Sequence, residues 1–123
     1  MEEKAGEVFS IAKDNMPVPG CTISKEVHGG ENGIIYFSLA KNTDISAEIF
    51  PYHKLLIVAE GSLEVYGTNG YRKVLHAGDS VLTSTDIPIG MKTDTGAVYT
   101  EIEIRRSDIM NEAIKAGEVF RLA

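Results

Sequence analysis

The stretch Ile45 to Gly61, ISAEIFPYHKLLIVAEG, decides the fold of this 123-residue chain. Apolar and polar side chains alternate from Asp44 to Ile49, which is the two-residue period of a half-buried strand. Pro51 then interrupts the pattern, because it has no N–H group to donate to a neighbouring strand. In the run KLLIVA, which starts at Lys54, apolar residues point to both faces of the strand. A second sheet must therefore cover one face, and a core or a partner must cover the other. Gly61 is expected to end this strand.

Further strands are predicted on both sides of this stretch. Ile34 to Ala40 is rich in β-branched and aromatic residues, and Val98 to Arg105 alternates between apolar and polar side chains. The pair Asn69-Gly70 separates two short strands and is a strong hairpin signal. The remaining predicted strands are Glu7 to Ala12, Cys21 to Val27, Leu63 to Tyr66, Tyr71 to Leu75 and Ser80 to Thr83. Eight or more short strands with frequent turns predict an antiparallel sandwich or barrel.

The end of the chain carries a predicted helix and a repeat of its beginning. Ser107 can cap a helix with an apolar stripe that includes Ile109 and Ile114. Residues 4–12 read KAGEVFSIA, and residues 115–123 read KAGEVFRLA. We hypothesise that the chain is one half of a two-domain protein; equivalent edge positions in a dimer, or two strands of similar composition, are the alternatives. The predicted division is a β-barrel domain over residues 1–106 and a helix with a strand-like tail over residues 107–123.

Composition and charge argue against several classes of partner. Hydrophobic residues make up 43% and charged residues 24% of the chain, an ordinary balance for one soluble globular domain. The formal net charge is −6, and basic residues do not cluster beyond Arg105-Arg106, so no nucleic-acid or anionic-membrane partner is expected. The sequence shows neither a long apolar run nor a signal peptide, and the single cysteine, Cys21, fits a reducing compartment. We therefore expect a cytoplasmic protein.

Two segments resemble the two conserved motifs of the cupin superfamily. They are the stretch that ends at Gly61 and the segment GDSVLTSTDIPIG, Gly78 to Gly90. The shared features are Gly61 after Glu60, the Gly78-Asp79 turn and the Ile87-Pro88 pair. The resemblance, which covers residues 33 to 104, implies an all-β fold: an antiparallel double-sheet jelly-roll barrel, here with one short C-terminal helix.

The resemblance also locates the place at which many cupin enzymes hold a metal. Anchored on the two motif glycines, the family's imidazole and carboxylate positions are occupied here by Glu48, Phe50, Lys54 and Ile89. Phenylalanine and isoleucine have no donor atom and an ammonium group is itself cationic, so no metal and no other cofactor is expected. If Glu48 and Lys54 both face the interior, we expect them to form an ion pair. Simple alternation along the strand would instead turn Glu48 to solvent.

Three functions are consistent with the resemblance. The first is a metal-free module that binds a small organic molecule, with an anion attracted by Lys54 among the candidates. The second is a structural or regulatory domain with a filled barrel, and the third is a stand-alone enzyme, metal-free or with unidentified metal ligands. No catalytic residue is assigned, because His53 is expected to face away from the barrel if its neighbour Lys54 faces in. The candidate ligand-binding residues of the barrel interior are Glu48, Phe50, Lys54, Leu56, Ile89, Tyr36 and Tyr99.

The outward face of the central strand predicts self-association. Leu55, Ile57 and Ala59 lie at the parity opposite to Lys54 and are all apolar. In a monomer this face would be exposed to solvent unless the N-terminal strands covered it. A homodimer is therefore expected.

Overall fold

The computed structural model describes residues 5–28 and 33–104, most of them in β-strands. A short helix, α1 (Ile11–Asp14), comes first. The strands are β1 (Thr22–His28), β2 (Ile34–Leu39), β3 (Thr43–Glu48), β4 (His53–Gly67), β5 (Arg72–His76), β6 (Ser80–Leu82), β7 (Ile89–Thr93) and β8 (Ala97–Ile104). The predicted C-terminal helix and the second copy of the terminal repeat lie outside the described residues. No helix in the described ranges is long and apolar enough to cross a membrane.

The strands form two antiparallel sheets that share β4. One sheet has the order β1-β2-β8-β4-β6 and the other the order β3-β7-β4-β5. Residues 53–61 of β4 pair with β8, and residues 64–67 pair with β7. Because the two sheets curl around one core, the structure confirms the all-β, antiparallel jelly roll that the sequence predicts.

β4 passes from one sheet into the other at Gly61, so the prediction that this strand ends there is wrong. The register with β8 shifts between Val58 and Glu60, which marks a bulge. Gly61 has φ +76°, a left-handed conformation that side chains disfavour. A Cβ atom at Gly61 would lie 2.0 Å from the carbonyl oxygen of Gly96. The strand can therefore bend against the Gly96 segment only because residue 61 is glycine.

The core lies between the two sheets, and the residues of β4 that point inward form its centre. Leu56 and Val58 before the bend, and Leu63 and Val65 after it, are at most 1% exposed. The other buried members of this cluster are Leu39, Leu75, Ile89, Met91, Ala97 and Tyr99. One strand thus supplies apolar side chains to both halves of the barrel.

The N-terminal segment does not form the strand predicted for Glu7 to Ala12. The N–H of Asp14 donates to the carbonyl oxygen of Ser10 at 2.8 Å, and the Asp14 carboxylate accepts from the Ser10 N–H at 3.1 Å. These two hydrogen bonds close the single turn of α1. Local hydrogen bonding by the polar residues therefore overrides the apolar character of the segment.

Residues next to α1 cover the outer face of β2. The side-chain amide of Asn15, which is buried, donates to Ser38 Oγ at 3.1 Å. The ring of Phe9 packs on that of Tyr36 with the centroids 5.7 Å apart. Further along the same sheet, Leu55 and Ile57 on the outer face of β4 are only half-buried. The predicted homodimer would use this second, uncovered part of the outer face.

The strands predicted after residue 20 are confirmed, and β7 is an addition that the sequence did not indicate. The hairpin between β4 and β5 turns at Asn69 and Gly70, both with positive φ. In β7, Gly90 has no side chain and so leaves room for the ring of Tyr66. A Cβ atom at this position would lie 2.5 Å from Tyr66 Cζ. This glycine interrupts the alternation by which a strand is recognised.

Gly61→Ala should destabilise the fold much more than Gly70→Ala. The two glycines have φ +76° and +78°, so each alanine carries a similar backbone cost of about 1–2 kcal/mol. At Gly61 the new Cβ also meets the Gly96 carbonyl group, whereas at Gly70 it meets nothing within 4 Å. We expect a loss of about 3 kcal/mol or more in unfolding free energy at position 61. Chemical denaturation measures both variants, and equal losses would contradict the role of the close approach.

Candidate functional site

A cleft lies between the two sheets where the end of β3, the start of β4 and the loop from β6 to β7 come together. Its empty volume is about 280 Å³, part of which is open to solvent. The walls combine an aromatic ring, aliphatic side chains and a few polar groups. The lining residues are Glu48, Phe50, Lys54, Leu56, Thr83, Ser84, Ile87, Ile89 and Met91.

This cleft brings together most of the residues predicted to face the barrel interior. They come from three separate segments, β3 with the loop after it, β4 and β7. The predicted residues that line the cleft are Glu48, Phe50, Lys54, Leu56 and Ile89. The sequence did not indicate Thr83, Ser84, Ile87 or Met91, which reach the cleft through the β6–β7 loop and β7.

The two tyrosines predicted to join these residues lie elsewhere. Tyr99 is in the interior but behind the cleft, fully buried, with its ring stacked on that of Phe37 at 5.2 Å between centroids. The placement of Tyr36 in the interior is wrong. Because Phe37 faces inward, its neighbour Tyr36 faces outward, where it contacts Phe9. Tyr36 therefore belongs to the outer surface of the sheet.

A register shift in β3 brings Glu48 to the cleft. The pairing between β3 and β7 is irregular between Ile45 and Glu48. In a regular strand, residues three positions apart face opposite sides, yet here Ile45 packs on the core and Glu48 lines the cleft. The bulge permits both. Glu48 nevertheless remains exposed to solvent, at the rim.

Lys54 is buried at the inner side of this cleft, with 8% of its surface exposed. Its ammonium nitrogen lies 3.4 Å from the centroid of the Phe50 ring and 3.5 Å from Glu101 Oε2. Such a position suits a cation, because both the ring face and the carboxylate are negative. The hypothesis that Lys54 pairs with Glu48 is wrong, since its ion pair is with Glu101. The reason is the β4–β8 register, which places Glu101 opposite Leu56 on the inward face.

Thr83 fixes the backbone of this part of β4. The N–H of Lys54 donates to Thr83 Oγ1 at 3.0 Å, and the Lys54 carbonyl oxygen accepts from the Thr83 N–H at 2.9 Å. His53 Nδ1 lies 2.8 Å from the Thr83 carbonyl oxygen. Since a carbonyl only accepts, Nδ1 carries the hydrogen of this bond. His53 does not line the cleft, in agreement with the predicted outward orientation.

Glu101 and Tyr99 are buried side chains behind the cleft, and each has a polar atom without a hydrogen-bond partner. Burial raises the pKa of Glu101; the Lys54 charge opposes this rise, while Glu103 and Glu48 add to it. Burial also raises the pKa of Tyr99 well above its ordinary value, and Glu101 contributes. Glu101 Oε1 and the Tyr99 hydroxyl are both buried without a hydrogen-bond partner. The alternation in β8 was the available signal for Glu101, because it assigns this residue to the same face as Tyr99.

Known structures share this architecture. A conserved protein of unknown function from Streptococcus pyogenes superposes with a TM-score of 0.78, over 88% of this chain and 95% of that one, at 16% identity. A double-stranded β-helix protein from Klebsiella pneumoniae gives 0.70, with 80% and 89% covered, at 18% identity. An RmlC-like cupin from Shewanella frigidimarina gives 0.63, with 75% and 83% covered, at 19% identity. The protein therefore has a cupin fold, as the sequence motifs implied. No family model and no curated protein sequence matches the chain.

The cleft residues do not fit the metal that many cupin enzymes hold. Within the described ranges, no three His, Cys, Asp or Glu side chains are grouped so that they could bind a metal ion. Phe50 and Ile89 offer no donor atoms, and the Lys54 ammonium group brings a positive charge of its own into the cleft. The described residues of the cleft therefore offer no donor set for a transition metal.

Glu101→Gln should abolish a decrease in folding stability that the wild type shows as the pH rises. The pKa of Glu101 in the folded protein is raised above 4.5, so the native state binds this proton more tightly than the unfolded state. Wild type therefore loses stability as the pH rises from about 4.5 through the folded pKa. Glutamine has no proton to lose, so the variant should gain stability relative to wild type across this window.

Urea denaturation at a series of pH values from about 4 to 8 measures this difference. Glu60→Gln, the same change at an exposed position of β4, is the control. A difference between Glu101→Gln and wild type that stays constant over the whole range would contradict the raised pKa.

Proposed function

We propose that this protein is a metal-free binding module whose cleft takes a small organic molecule. The observation that carries the proposal is the convergence of Phe50, Lys54 and Leu56 with residues of β3 and β7 on one opening. Apolar walls with a few polar groups at one end are the usual composition of a ligand site. The empty space of about 280 Å³ includes open solvent, so the enclosed part of the cleft suits only a ligand of few non-hydrogen atoms.

A structural or regulatory domain with a filled barrel is the second candidate. The observation that favours it is the packing behind the cleft, where Val58 and Tyr99 are at most 1% exposed. These side chains occupy the barrel centre, so a ligand would be confined to the mouth. The third candidate is a stand-alone enzyme, which bound metal or turnover of a ligand would reveal.

We also propose that the protein acts as a cytoplasmic homodimer. The half-buried Leu55 and Ile57 on the outer face of β4 support self-association. The single cysteine, which is exposed and unpaired, supports a reducing compartment. Sedimentation at high protein concentration tests the dimer, and a monomer there would contradict it.

Ser84→Trp should block ligand binding. Ser84 lines the cleft and is exposed, so an indole ring at this position fills the opening without disturbing the core. A screen of small carboxylates, amines, polyols and heterocycles by ligand-observed NMR should find compounds that bind the wild type. We expect the variant to bind these compounds at least about tenfold more weakly, which is about 1.4 kcal/mol.

Thr95→Trp in the exposed turn between β7 and β8 is the control, because it adds the same ring beside Ser62, eight positions along β4 from Lys54. Binding that survives Ser84→Trp would place the ligand elsewhere, and a screen without hits would favour the filled barrel. Elemental mass spectrometry of protein purified without chelators or metal affinity tests the metal-free part of the proposal. Stoichiometric metal would contradict that part.

A further inference from the structure

The charges around Lys54 indicate which ligands the cleft would reject. Glu48 lines the same cleft, and Glu103 lies directly opposite Lys54 in the β4–β8 register. Both carboxylates are close enough to Glu101 to raise its pKa. An entering anion would therefore meet the Glu48 carboxylate at the rim and the Glu101 carboxylate that already pairs with Lys54. This balance disfavours the anionic ligand that Lys54 alone suggested.

The surroundings of the ammonium group form a site for a cation. On one side the Phe50 ring lies 3.4 Å from Nζ, measured to its centroid, and this ring packs at 5.4 Å against that of Tyr52. On the other side Glu101 Oε2 lies at 3.5 Å. An aromatic face combined with a carboxylate is the arrangement by which proteins recognise organic ammonium ions.

The carboxylate of this site has hydrogen-bonding capacity that Lys54 does not use. Glu101 is 2% exposed, and its Oε1 atom is buried without a partner. A buried acceptor without a donor is unfavourable. The Lys54 ammonium nitrogen lies 3.5 Å from Glu101 Oε2, and Oε1 receives no hydrogen bond from it. A free organic ammonium ion carries several N–H donors that can be directed at this oxygen.

We propose that the cleft is a binding box for a small organic ammonium ion and that Lys54 occupies this box in the ligand-free protein. The ammonium box consists of Phe50, Glu101 and Glu48. The proposal rests on the proposed function and names the class of its ligand. An incoming ammonium ion takes the position between Phe50 and Glu101, and the long Lys54 side chain moves to the open side of the cleft.

Lys54→Ala with propylammonium as the probe tests the box. The substitution removes the atoms from Cγ to Nζ, which are the atoms that propylammonium restores. We expect propylammonium to bind this variant at least about tenfold more tightly than it binds wild type, where the tethered Lys54 competes at high effective concentration. It should also raise the melting temperature of the variant, because it binds the folded state.

Lys54→Met is the matched control, because it removes the same charge but fills the space with a side chain of similar length. Propylammonium should not bind it, and butyrate, an anion of similar size, should not bind Lys54→Ala. Adding Glu101→Gln or Phe50→Leu to Lys54→Ala should weaken propylammonium binding about tenfold, as expected for loss of one side of the box. Butyrate that binds as tightly as propylammonium, or equal propylammonium binding by the alanine and methionine variants, would overturn the proposal.

Wild-type protein provides a readout that needs no substitution. At constant ionic strength, a high concentration of propylammonium should shift the NMR signals of the Phe50 ring, and butyrate should leave them unchanged. Unshifted signals would overturn the proposal even if Lys54→Ala did not fold. If ligands blocked by Ser84→Trp prove to be anions or neutral molecules, the ammonium box is refuted while the binding function stands.

Discussion

The bend of β4 at Gly61 is the constraint on which the rest of the structure depends. One strand can belong to both sheets only if its backbone turns sharply, and Gly61 does this while lying against the carbonyl group of Gly96. The residues before the bend pair with β8, and those after it pair with β5 and β7. The bend therefore sets the angle at which the two sheets enclose the core. It also places Lys54 and Leu56, seven and five positions before it, at the mouth of the barrel.

The burial of Lys54 follows from that placement and needs compensation. An ammonium group removed from water is costly unless opposite charge and donors or acceptors surround it. Glu101 supplies the charge, Phe50 the aromatic face, and solvent still reaches the cleft. The compensation is incomplete on the side of Glu101, where burial outweighs the Lys54 charge and the pKa of the carboxyl group rises. A buried carboxylate whose charge is only partly compensated is stabilised by any additional hydrogen-bond donor or positive charge that approaches it.

Local patterns in the sequence predicted the fold well, and long-range registers account for the errors. Strand alternation and the Asn69-Gly70 turn are local properties, and both appear in the structure as expected. The inward position of Glu48 depends on a bulge, and the ion pair of Lys54 depends on its neighbour β8; neither can be read from spacing along one strand. The assignment of Tyr36 to the interior failed although the strand was correct, because nothing in the sequence showed which parity of β2 faces the core.

The side chains around Lys54 form a consistent electrostatic arrangement. In a metal cupin, neutral and anionic donors converge on a cation that the protein must acquire from solution. Here Glu48 lines the cleft and Glu101 pairs with Lys54, so the cation of the cleft is part of the chain itself. Phe50 and Ile89, which cannot coordinate a metal, provide instead a ring face and an apolar wall. In this chain, ion pairing and cation–π contact, not coordination, hold the positive charge in the cleft. The ring face, the carboxylate and the apolar wall together define both the charge and the shape of the space around the Lys54 ammonium group.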